Sequence, residues 1–522
     1  MAHKILCTDG FAQAGIDELK GFPSVEAVNE KSLSHEELLA KIPSFDGLIV
    51  RSASKVGRDV IESGARLKIV ARAGVGVDNI DLGAATEKGI FVVNTPAGNT
   101  TSTAELAFAM LLALSRHVPQ AARLMLEGVW EKKKFMGTEV AGKTLGIVGL
   151  GRIGREVAKR AMAFGMKVIA CDPLLPEERF ESFGVARVAI DELCKNSDYI
   201  TIHAQLTSDT ENLIGKREFC QMKKTARIIN CARGGIVNED DLAEALRAGT
   251  IAGAALDVFT EEPFTRPVFK GLDNIILTPH LGASTREAQD AVAIEAARAV
   301  GQFFSEGMSA GAVNLQAGAG IEGLKAHIRL AGKLGALLAQ CCRGSIRRIA
   351  ICGTEATPGI LALAAVQGAL SRAGGERVTL VNAGAVAKRM GIAVAEEIVR
   401  GGQDFAGAFG VALDSDSEKR EAWGAVLSDG TARIVMLDGY RVEIAPSGPI
   451  LLIHNSDQPG VIGRVSSILG DAGVNIAEMQ NVRKKKGAEA LTIIRIDGAM
   501  PEKTLKEIGA VSGVTSAALV EL

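Results

Sequence analysis

The stretch Thr144-Leu145-Gly146-Ile147-Val148-Gly149-Leu150-Gly151-Arg152-Ile153-Gly154 decides the fold of this chain. An apolar run ends at Val148, three glycines follow at the spacing Gly-x-Gly-x-x-Gly, and a helical pattern comes next. Gly149 permits a tight turn, Gly151 lets backbone N–H groups approach a pyrophosphate, and Gly154 lets helix and strand pack closely. The pattern predicts a strand, a phosphate-binding loop and a helix whose N-terminus faces the phosphates.

An acidic residue completes the dinucleotide fingerprint. Asp172 follows the next predicted strand, Lys167–Cys171, at the place where a carboxylate bonds ribose hydroxyls. Such a carboxylate repels a 2′-phosphate, so the pattern favours NAD over NADP as cofactor. The alternative is a glycine turn followed by an unrelated turn at Asp172-Pro173. The order strand, loop, helix, strand and acid argues against that alternative.

Short apolar runs alternate with helical segments on both sides of the loop. This rhythm predicts an α/β fold with two parallel sheets, the second of them doubly wound. The runs before the loop are Lys4–Cys7, Gly47–Val50, Lys68–Arg72 and Ile90–Asn94. The runs of the second sheet are Thr144–Val148, Lys167–Cys171, Tyr199–Ala204, Arg227–Cys231, Gly253–Val258 and Ile275–Thr278. Long helices are predicted at Thr103–His117 and Thr285–Glu306, and the second is expected to pack on the first domain.

Two further modules follow in the chain. Small residues at 316–320 predict a linker, and residues 321 to about 445 mix helical stretches with strands such as Arg348–Cys352 and Arg433–Leu437. This mixture indicates an α/β module. Residues 450–522 show the order strand, helix, strand, strand, helix, strand, which predicts a small ferredoxin-like βαββαβ sandwich.

Composition limits the possible partners. With 522 residues the chain is expected to form three or four domains, and a net charge of −2 provides no general basic field for nucleic acid or an anionic membrane. The eight cysteines include no Cys-x-x-Cys pair, so reduced core thiols are expected, with no disulfide framework and no metal site. The longest apolar stretch, Leu106–Leu114, is about half of what a membrane span needs. A cytoplasmic location is expected.

Three polar side chains stand just beyond predicted strands of the second sheet: Arg233, Glu262 and His280. Ligands of open α/β sheets bind beyond the carboxyl ends of strands, so all three are expected beside the nicotinamide. Hydride transfer between a 2-hydroxy acid and NAD needs a planar cation for the carboxylate, an imidazole for the hydroxyl proton and a carboxylate behind the imidazole. Singly, each is equally well read as a surface cation, a turn acid or a loop histidine. His203 also follows a strand and is expected near the cofactor.

Four segments together resemble the D-isomer-specific 2-hydroxyacid dehydrogenases: the glycine loop, Asn230–Gly235, Asp257–Pro263 and Pro279–Thr285. The resemblance extends over nearly the whole chain. It implies that the arginine, glutamate and histidine just named are the catalytic groups. It also implies cofactor contacts from Gly149, Gly151, Arg152, Ile153, Gly154, Asp172, Cys231, Arg233, Asp257 and His280.

The resemblance further implies that two Rossmann-like units are interleaved. Residues 1–98 and 283–314 would form the substrate-binding domain, and residues 99–282 the NAD-binding domain. An intervening domain would occupy 315–445 and an ACT regulatory domain 446–522.

Within the family, the match is closest to the branch that oxidises 3-phosphoglycerate at the head of L-serine synthesis. A phosphorylated substrate needs cations and backbone N–H groups distant from the carboxylate-binding arginine. The expected substrate-binding residues are Arg51, Ser52, Arg72, Gly74, Val75 and Lys132.

The lysine lies in the basic run Trp130–Gly137, which resembles a segment that supplies charge to a neighbouring subunit. The alternative is a set of ordinary loop residues and a solvated basic run. Val75 stands where some relatives carry a hydroxyl residue, so a side-chain hydrogen bond is lost there.

The segment His454–Gly463, followed by Gly473–Ala477, resembles an ACT domain. The resemblance implies that Asn455, Asp457 and Asn475 bind an amino acid, L-serine, between subunits of a dimer or tetramer. The alternative is a sandwich that only joins subunits.

The sequence therefore predicts an NAD-dependent dehydrogenase that interconverts 3-phosphoglycerate and 3-phosphohydroxypyruvate and is inhibited by L-serine. Two alternatives stay open: a dehydrogenase of another D-2-hydroxy acid, and a non-catalytic NAD-sensing scaffold of the corepressor kind. The joint Arg–Glu–His set and the ACT-like tail argue against the scaffold.

Overall fold

The structure is a computed structural model that describes residues 2–309, 311–315, 321–353, 357–371, 377–399 and 407–522. The predicted linker at 316–320 lies outside the described residues. Four sheets make up the architecture, so the α/β prediction is confirmed. Short 3-10 helices occur at Ile42–Ser44, Lys132–Phe135, Pro267–Phe269 and Ile321–Leu324.

The first sheet has five parallel strands in the order β2-β1-β3-β4-β5. Its interior is apolar on both faces, as covered parallel strands require, and all four residues of the third strand are buried. The strands are β1 (His3–Cys7), β2 (Val25–Asn29), β3 (Gly47–Val50), β4 (Ile69–Arg72) and β5 (Phe91–Asn94). The helices are α1 (Gln13–Leu19), α2 (His35–Lys41), α3 (Arg58–Ser63) and α4 (Leu82–Glu87).

The second sheet has seven parallel strands in the order β12-β11-β10-β9-β6-β7-β8. Its strands are β6 (Thr144–Val148), β7 (Lys167–Cys171), β8 (Ala186–Arg187), β9 (Tyr199–Ile202), β10 (Arg227–Asn230), β11 (Gly253–Leu256) and β12 (Ile275–Leu277). Its helices are α5 (Thr100–Arg116), α6 (Val118–Leu126), α7 (Arg152–Ala163), α8 (Glu177–Ser182), α9 (Ile190–Asn196), α10 (Lys216–Gln221) and α11 (Glu239–Arg247). The strand order reverses beside β6, so the glycine loop lies at the topological switch point where ligands of such sheets bind.

Two long helices connect the sheets. Helix α5 leads from the first sheet into the second, and α12 (Arg286–Glu306) returns. Helix α12 packs against α1 and β4 of the first sheet, and its buried face includes Ala293, Ala296 and Val300. The predicted return of the chain to the first domain is therefore confirmed, and the two Rossmann-like units are interleaved. The exact domain boundaries stay predictions.

The third sheet is mixed, in the order β14-β13-β15-β16-β17-β18. Its strands are β13 (Ile346–Gly353), β14 (Ala393–Ile398), β15 (Phe409–Ser415), β16 (Lys419–Val426), β17 (Ala432–Leu437) and β18 (Tyr440–Ile444). Its helices are α13 (Lys325–Cys341), α14 (Gly359–Leu370) and α15 (Ala383–Arg389). The sequence indicated an α/β module but singled out only β13 and β17 as strands. The other strands, apart from β14, lie in an antiparallel meander whose pairing is set by tertiary contacts.

The fourth sheet is antiparallel in the order β20-β21-β19-β22. Its elements are β19 (Pro449–Ser456), α16 (Val461–Asp471), β20 (Asn475–Arg483), β21 (Glu489–Asp497), α17 (Glu502–Gly509) and β22 (Val514–Glu521). The predicted βαββαβ order is confirmed. Residues such as Ile453 and Ile494 face α16 and α17, whereas Leu452 and Ile493 belong to the same apolar cluster as α13. Both faces of this sheet are therefore covered, and the last two modules share a core.

Polar contacts, one of them buried, join the third module to the first sheet. Thr379 Oγ1 donates to Gly89 O at 3.1 Å, Asn382 Nδ2 approaches Glu87 O at 3.5 Å, and Arg377 Nη1 donates to Leu67 O at 2.9 Å. The three carbonyl groups lie just before β4 and β5. The intervening module therefore contacts the first sheet at the N-terminal ends of β4 and β5. The opposite ends of these two strands face the cleft described below.

Within the described ranges, no helix is both long enough and apolar enough to cross a membrane, and no group of three histidine, cysteine or acidic residues is arranged to hold a metal ion. All eight cysteines are free thiols.

Candidate active site

A cleft of about 900 Å³ opens between the first and second sheets. It is lined by the loops that follow β4, β5, β6, β9, β10 and β12, all at the carboxyl ends of parallel strands. The polar residues that line it include Asp78, Asn99, Arg152, His203, Arg233 and His280. Both sheets therefore present their ligand-binding edges to one cavity, as expected for open α/β sheets.

The glycine loop is shaped by close backbone contacts. Gly149 has a φ of +90°, and a Cβ there would lie 2.7 Å from His203 O. A Cβ at Gly154 would lie 2.2 Å from Gly149 O, whereas a Cβ at Gly151 would meet nothing within 4 Å. The first and third glycines are thus required by packing, and the middle one leaves open space before the N-terminus of α7. That space fits a pyrophosphate.

Asp172 is tied to the glycine loop. Its Oδ2 accepts a hydrogen bond from Leu150 N at 2.9 Å, and its Oδ1 accepts one from Leu174 N at 3.0 Å. Each carboxylate oxygen keeps a second acceptor position. The carboxylate therefore stands next to the phosphate-binding loop, where it can accept from ribose hydroxyls.

His203 lies in the cleft as a neutral imidazole. Its Nε2 is 2.9 Å from Thr201 Oγ1, and its Nδ1 is buried without a hydrogen-bond partner among the described residues. Burial lowers the pKa of His203 to about 3, so the ring carries no charge near neutral pH. Because the ring is uncharged and its Nδ1 is buried, His203 suits packing beside a bound molecule better than proton transfer.

Glu262 and His280 form a hydrogen-bonded pair. Glu262 Oε2 lies 2.7 Å from His280 Nδ1, and Glu262 Oε1 accepts from Phe259 N at 3.1 Å. Burial opposes ionisation of Glu262, but the hydrogen bond and charge of His280 outweigh it and hold the glutamate pKa below its ordinary value. The arrangement leaves His280 Nε2 as the ring nitrogen available to a substrate.

Asp257 shapes the loop that carries His280. It is fully buried and accepts from Thr278 Oγ1 at 2.6 Å, Leu281 N at 2.7 Å and Gly282 N at 2.9 Å. Burial raises the pKa of Asp257 despite these bonds. The contacts fix the backbone on both sides of His280, whose φ of +55° is unusual for a residue with a side chain. Direct contact of Asp257 with the cofactor stays a prediction.

Arg233 is held between the two sheets. Its Nη1 donates to Ala232 O at 2.7 Å, and its Nε donates to Asp78 Oδ2 at 3.1 Å. A Cβ at Gly76 would lie 1.9 Å from Arg233 Nη2, so any larger residue there would displace the guanidinium. The charge of Arg233 also contributes to the lowered pKa of Glu262, which places the predicted catalytic residues within one electrostatic neighbourhood.

Arg72 is a largely buried cation at the end of β4. Its Nη1 donates to Gly76 O, its Nε has no hydrogen-bond partner among the described residues, and no described carboxylate forms an ion pair with it. The pKa of Arg72 is lowered to about 10, mainly by burial and also by the cations of Arg233 and Arg51, while the carboxylates of Asp78 and Glu262 oppose the shift. A buried cation beside other cations is costly unless an anion is bound.

The other predicted substrate residues differ in position. Arg51 N donates to Asp9 Oδ2 at 2.9 Å, which holds its loop, and Ser52 is exposed. Gly74 N already donates to Arg72 O at 2.9 Å, so of the predicted backbone donors Val75 stays the better placed, and it lines the cleft. Lys132 lies in an exposed 3-10 helix and does not line the cleft of its own chain.

Three residues predicted to contact the cofactor differ in their surroundings. Arg152 and Ile153 line the cleft at the start of α7. Cys231 also lines it, but its Sγ is buried 3.5 Å from Met110 Sδ and burial raises the pKa of the thiol. A contact with this residue would therefore involve its backbone or a neutral thiol.

The predicted effector residues do not meet within one chain. Asn455 pairs with Ala490 and Asn475 with Asp497, so the two asparagines are seven positions apart along β21, roughly 24 Å at the rise of an antiparallel strand. Asp457, next to Asn455, accepts from Arg483 Nη1 at 2.5 Å and from Gly487 N at 2.9 Å. Asn475 Nδ2 donates to Asp497 Oδ2 at 2.7 Å.

Comparison with known proteins agrees with this geometry. Family models match the D-isomer specific 2-hydroxyacid dehydrogenase NAD binding domain at residues 108–282, the D-3-phosphoglycerate dehydrogenase intervening domain at 323–438 and the ACT domain at 450–513. The match to the first of these confirms the predicted NAD cofactor.

Relatives cover nearly the whole chain. The D-3-phosphoglycerate dehydrogenases of Synechocystis sp. and Methanocaldococcus jannaschii are each 42% identical over 99% of this chain, and the match covers 95% and 100% of those proteins. The crystal structure of D-lactate dehydrogenase from Aquifex aeolicus, complexed with NAD and lactic acid, matches with a TM-score of 0.52 and 28% identity over 58% of this chain and 95% of its own. The chain belongs to the D-3-phosphoglycerate dehydrogenases of the D-isomer-specific 2-hydroxyacid dehydrogenase family.

Proposed function

We propose that this protein oxidises 3-phospho-D-glycerate to 3-phosphohydroxypyruvate with NAD, the first step of L-serine synthesis. The observation that carries the proposal is the cleft itself. One wall holds Arg233 and His280, which is paired with Glu262, and Arg72 lies behind the other wall, where it donates to Gly76 O and forms no ion pair with a described carboxylate. A substrate with a hydroxyl, a carboxylate and a second anionic group fits both walls.

The roles of the residues follow from their positions. Bound NAD would supply the acceptor for the hydride that leaves C2 of the substrate. His280 takes the hydroxyl proton at Nε2, because Nδ1 is occupied by Glu262. Glu262 is ionised and stabilises the imidazolium that results. Arg233 anchors the carboxylate and polarises the developing carbonyl group.

The cofactor would be held by the switch-point loop. The open face of Gly151 and the start of α7 at Arg152 and Ile153 suit the pyrophosphate, and Asp172 suits the adenosine ribose of NAD. His203 lines the same cleft as an uncharged ring.

The substrate phosphate would bind near Arg72. Arg51 adds positive charge there, as its effect on the pKa of Arg72 indicates. Binding an anion offsets the cost of burying the Arg72 cation. The site is therefore expected to prefer an acid with two anionic groups, a carboxylate and a phosphate, over glycerate.

We also propose that the protein acts as a homodimer or homotetramer. Large apolar side chains are exposed on α6 and the segment after it, with Leu126 at 90%, Trp130 at 79% and Met136 at 85% exposure. Lys132 lies in the same segment, so contact between two copies through this surface would bring its charge towards the partner's cleft. The free thiols are typical of a reducing compartment such as the cytoplasm.

Feedback regulation by L-serine is proposed to require two ACT domains. Because Asn475 and Asp457 lie at opposite ends of one sheet, a single ligand could contact both kinds of residue only between two chains. The ammonium group suits Asp457 and the asparagine amides suit the polar backbone of an amino acid.

NADH absorbance tests the proposal directly. Purified protein should reduce NAD with 3-phosphoglycerate much faster than with D-glycerate, and L-serine should slow the reaction. The His280→Ala variant should lose about two to four decades of turnover with little change in NAD affinity. Equal rates with both acids would assign a different hydroxy-acid substrate. Absent turnover with intact NAD binding would instead favour the scaffold alternative.

A further inference from the structure

Asp78 faces Arg233 across the cleft. Asp78 belongs to the loop after β4 of the first sheet, Arg233 to the loop after β10 of the second, and the two are 155 residues apart in the chain. Arg233 Nε lies 3.1 Å from Asp78 Oδ2. The ion pair therefore connects the two walls of the cleft at the group that is proposed to bind the substrate carboxylate.

The guanidinium of Arg233 is fixed on three sides. Asp78 accepts a hydrogen bond from Nε, the carbonyl oxygen of Ala232 accepts one from Nη1, and the backbone of Gly76 lies against Nη2. Two of these contacts come from the first sheet and one from the second. With Nε occupied, the donors left for a substrate are the remaining hydrogens of Nη1 and Nη2, so Asp78 determines which edge of the planar fork is free.

The exposure of the pair indicates what it contributes. The side chain of Asp78 is 64% exposed and that of Arg233 is 25% exposed. An ion pair with such an exposed partner contributes little to the free energy of folding, because water screens the two charges. The bond between the domains is therefore expected to act on the orientation of Arg233 and on the distance between the walls, and hardly on stability.

We propose that Asp78 is a positioning residue for the reaction: it orients Arg233 from the opposite domain, so that the substrate carboxylate is bound only when the two domains stand at the distance set by this ion pair. The proposal rests on the proposed role of Arg233 in binding the carboxylate. It adds a residue that does not touch the reacting atoms but acts through one that does.

The Asp78→Asn variant tests this role. The amide keeps the shape of the side chain and can still accept from Arg233 Nε, but it lacks the charge, so kcat/KM for 3-phosphoglycerate should fall about fivefold or more, the difference between a charge-assisted and a neutral hydrogen bond. Inhibition by oxalate, which offers carboxylates and no phosphate, should weaken by a similar factor. Inhibition by inorganic phosphate should not weaken, because Asp78 also lies near Arg72 and its negative charge opposes an anion there, and the Tm should stay unchanged.

Glu261→Gln is the matched control. Glu261 is an exposed acid beside Glu262, so this variant removes the same charge near the cleft without touching Arg233, and it should behave as wild type. Tighter oxalate binding in Asp78→Asn would overturn the proposal and make Asp78 a competitor of the substrate. Unchanged kinetics, or equal weakening of both inhibitors, would also overturn it. Failure of the wild type to turn over 3-phosphoglycerate would instead reject the proposed function.

Discussion

Glu262 Oε2 lies 2.7 Å from His280 Nδ1, although the two residues stand on separate loops, one after β11 and one after β12. Asp257, the first residue after β11, ties the two loops together, since His280 N also donates to its carbonyl oxygen. Phe259 N donates to Glu262 Oε1, and Asp257 accepts from the backbone that follows His280. The imidazole is therefore held in one orientation before any substrate is bound, which leaves Nε2 towards the cleft.

The Glu262→Gln variant should lower kcat about ten- to hundredfold, because an amide cannot stabilise the imidazolium. The pKa of Glu262 is held below its ordinary value of 4.5, so its carboxylate is fully charged above that pH, and its support is lost only as the pH falls through the lowered pKa. The rate ratio of wild type to variant should accordingly be largest at neutral and alkaline pH and should not shrink between pH 9 and pH 6. Initial rates of NADH formation across this range check the prediction. A ratio near one at pH 8 would contradict it.

Arg72→Met should separate substrate affinity from stability. Loss of the cation should raise KM for 3-phosphoglycerate about ten- to hundredfold and leave the weaker reaction with D-glycerate unchanged. Because Arg72 is largely buried beside other cations and forms no ion pair among the described residues, the ligand-free variant should be no less stable than wild type.

Arg66→Met is the contrasting control for that variant. Arg66 Nη2 lies 2.8 Å from Oδ2 of Asp46, a carboxylate that is only 4% exposed. Its removal should lower the Tm and leave KM unchanged. A lowered Tm for Arg72→Met, with KM as in wild type, would remove Arg72 from the substrate site.

Gly76→Ala should abolish most activity without unfolding the protein. The new methyl carbon would stand 1.9 Å from Arg233 Nη2 and 2.5 Å from Asp78 Oδ2, so both side chains must move. Displacement of a substrate-orienting group by about 1 Å can cost on the order of a hundredfold in rate. The ends of flexible side chains can yield, so the Tm should change little. Gly311→Ala, where a Cβ meets nothing within 4 Å, is the control and should keep wild-type kcat/KM.

Asp172→Asn should weaken the preference for NAD. The amide oxygen can still accept from Leu150 N, so the loop keeps its shape, but the negative charge that repels a 2′-phosphate is gone. The ratio of kcat/KM for NAD to that for NADP should fall about tenfold or more. Asp172→Ala should lose affinity for both cofactors, because it also frees Leu150 N. Unchanged discrimination in Asp172→Asn would show that the carboxylate does not face the ribose.

The sequence carried enough information to predict the two Rossmann-like sheets, because parallel strands buried on both faces are near-continuous apolar runs, such as Gly47–Val50. The glycine spacing likewise predicted a loop whose first and third glycines are enforced by contacts of 2.7 and 2.2 Å. Strand β2 and the short β8 escaped notice. They are edge strands, and their residues are mostly half-buried or exposed, which weakens the apolar signal.

The candidate site was predictable only in part. Strand ends pointed to Arg233, Glu262 and His280, since loops at the carboxyl ends of parallel strands converge. The pair of Asp78 and Arg233 was not predictable, because it joins loops 155 residues apart and depends on how two domains pack. The separation of Asn455 from Asn475 was equally hidden, since it follows from the order of strands in the sheet.

Gly89→Ala should loosen the attachment of the intervening module. Gly89 has a φ of +66°, and a Cβ there would lie 2.9 Å from both Asn382 Nδ2 and Thr379 Oγ1, the groups that bond the carbonyls before β5. Gly184→Ala is the control, because it has nearly the same φ, +67°, and no atom within 4 Å.

In both variants the left-handed backbone conformation should lower the free energy of unfolding by about 1 kcal/mol. Gly89→Ala should also lose hydrogen bonds to the intervening module, which gives a total loss of about 3 kcal/mol. Thermal unfolding with 3-phosphoglycerate turnover at 25 °C checks the difference. The Gly89 variant should unfold several degrees below the Gly184 variant and keep its basal kcat, since the contact lies at the far ends of β4 and β5 from Arg72. Equal Tm values would mean that the polar contacts of Thr379 and Asn382 contribute nothing to holding the module in place.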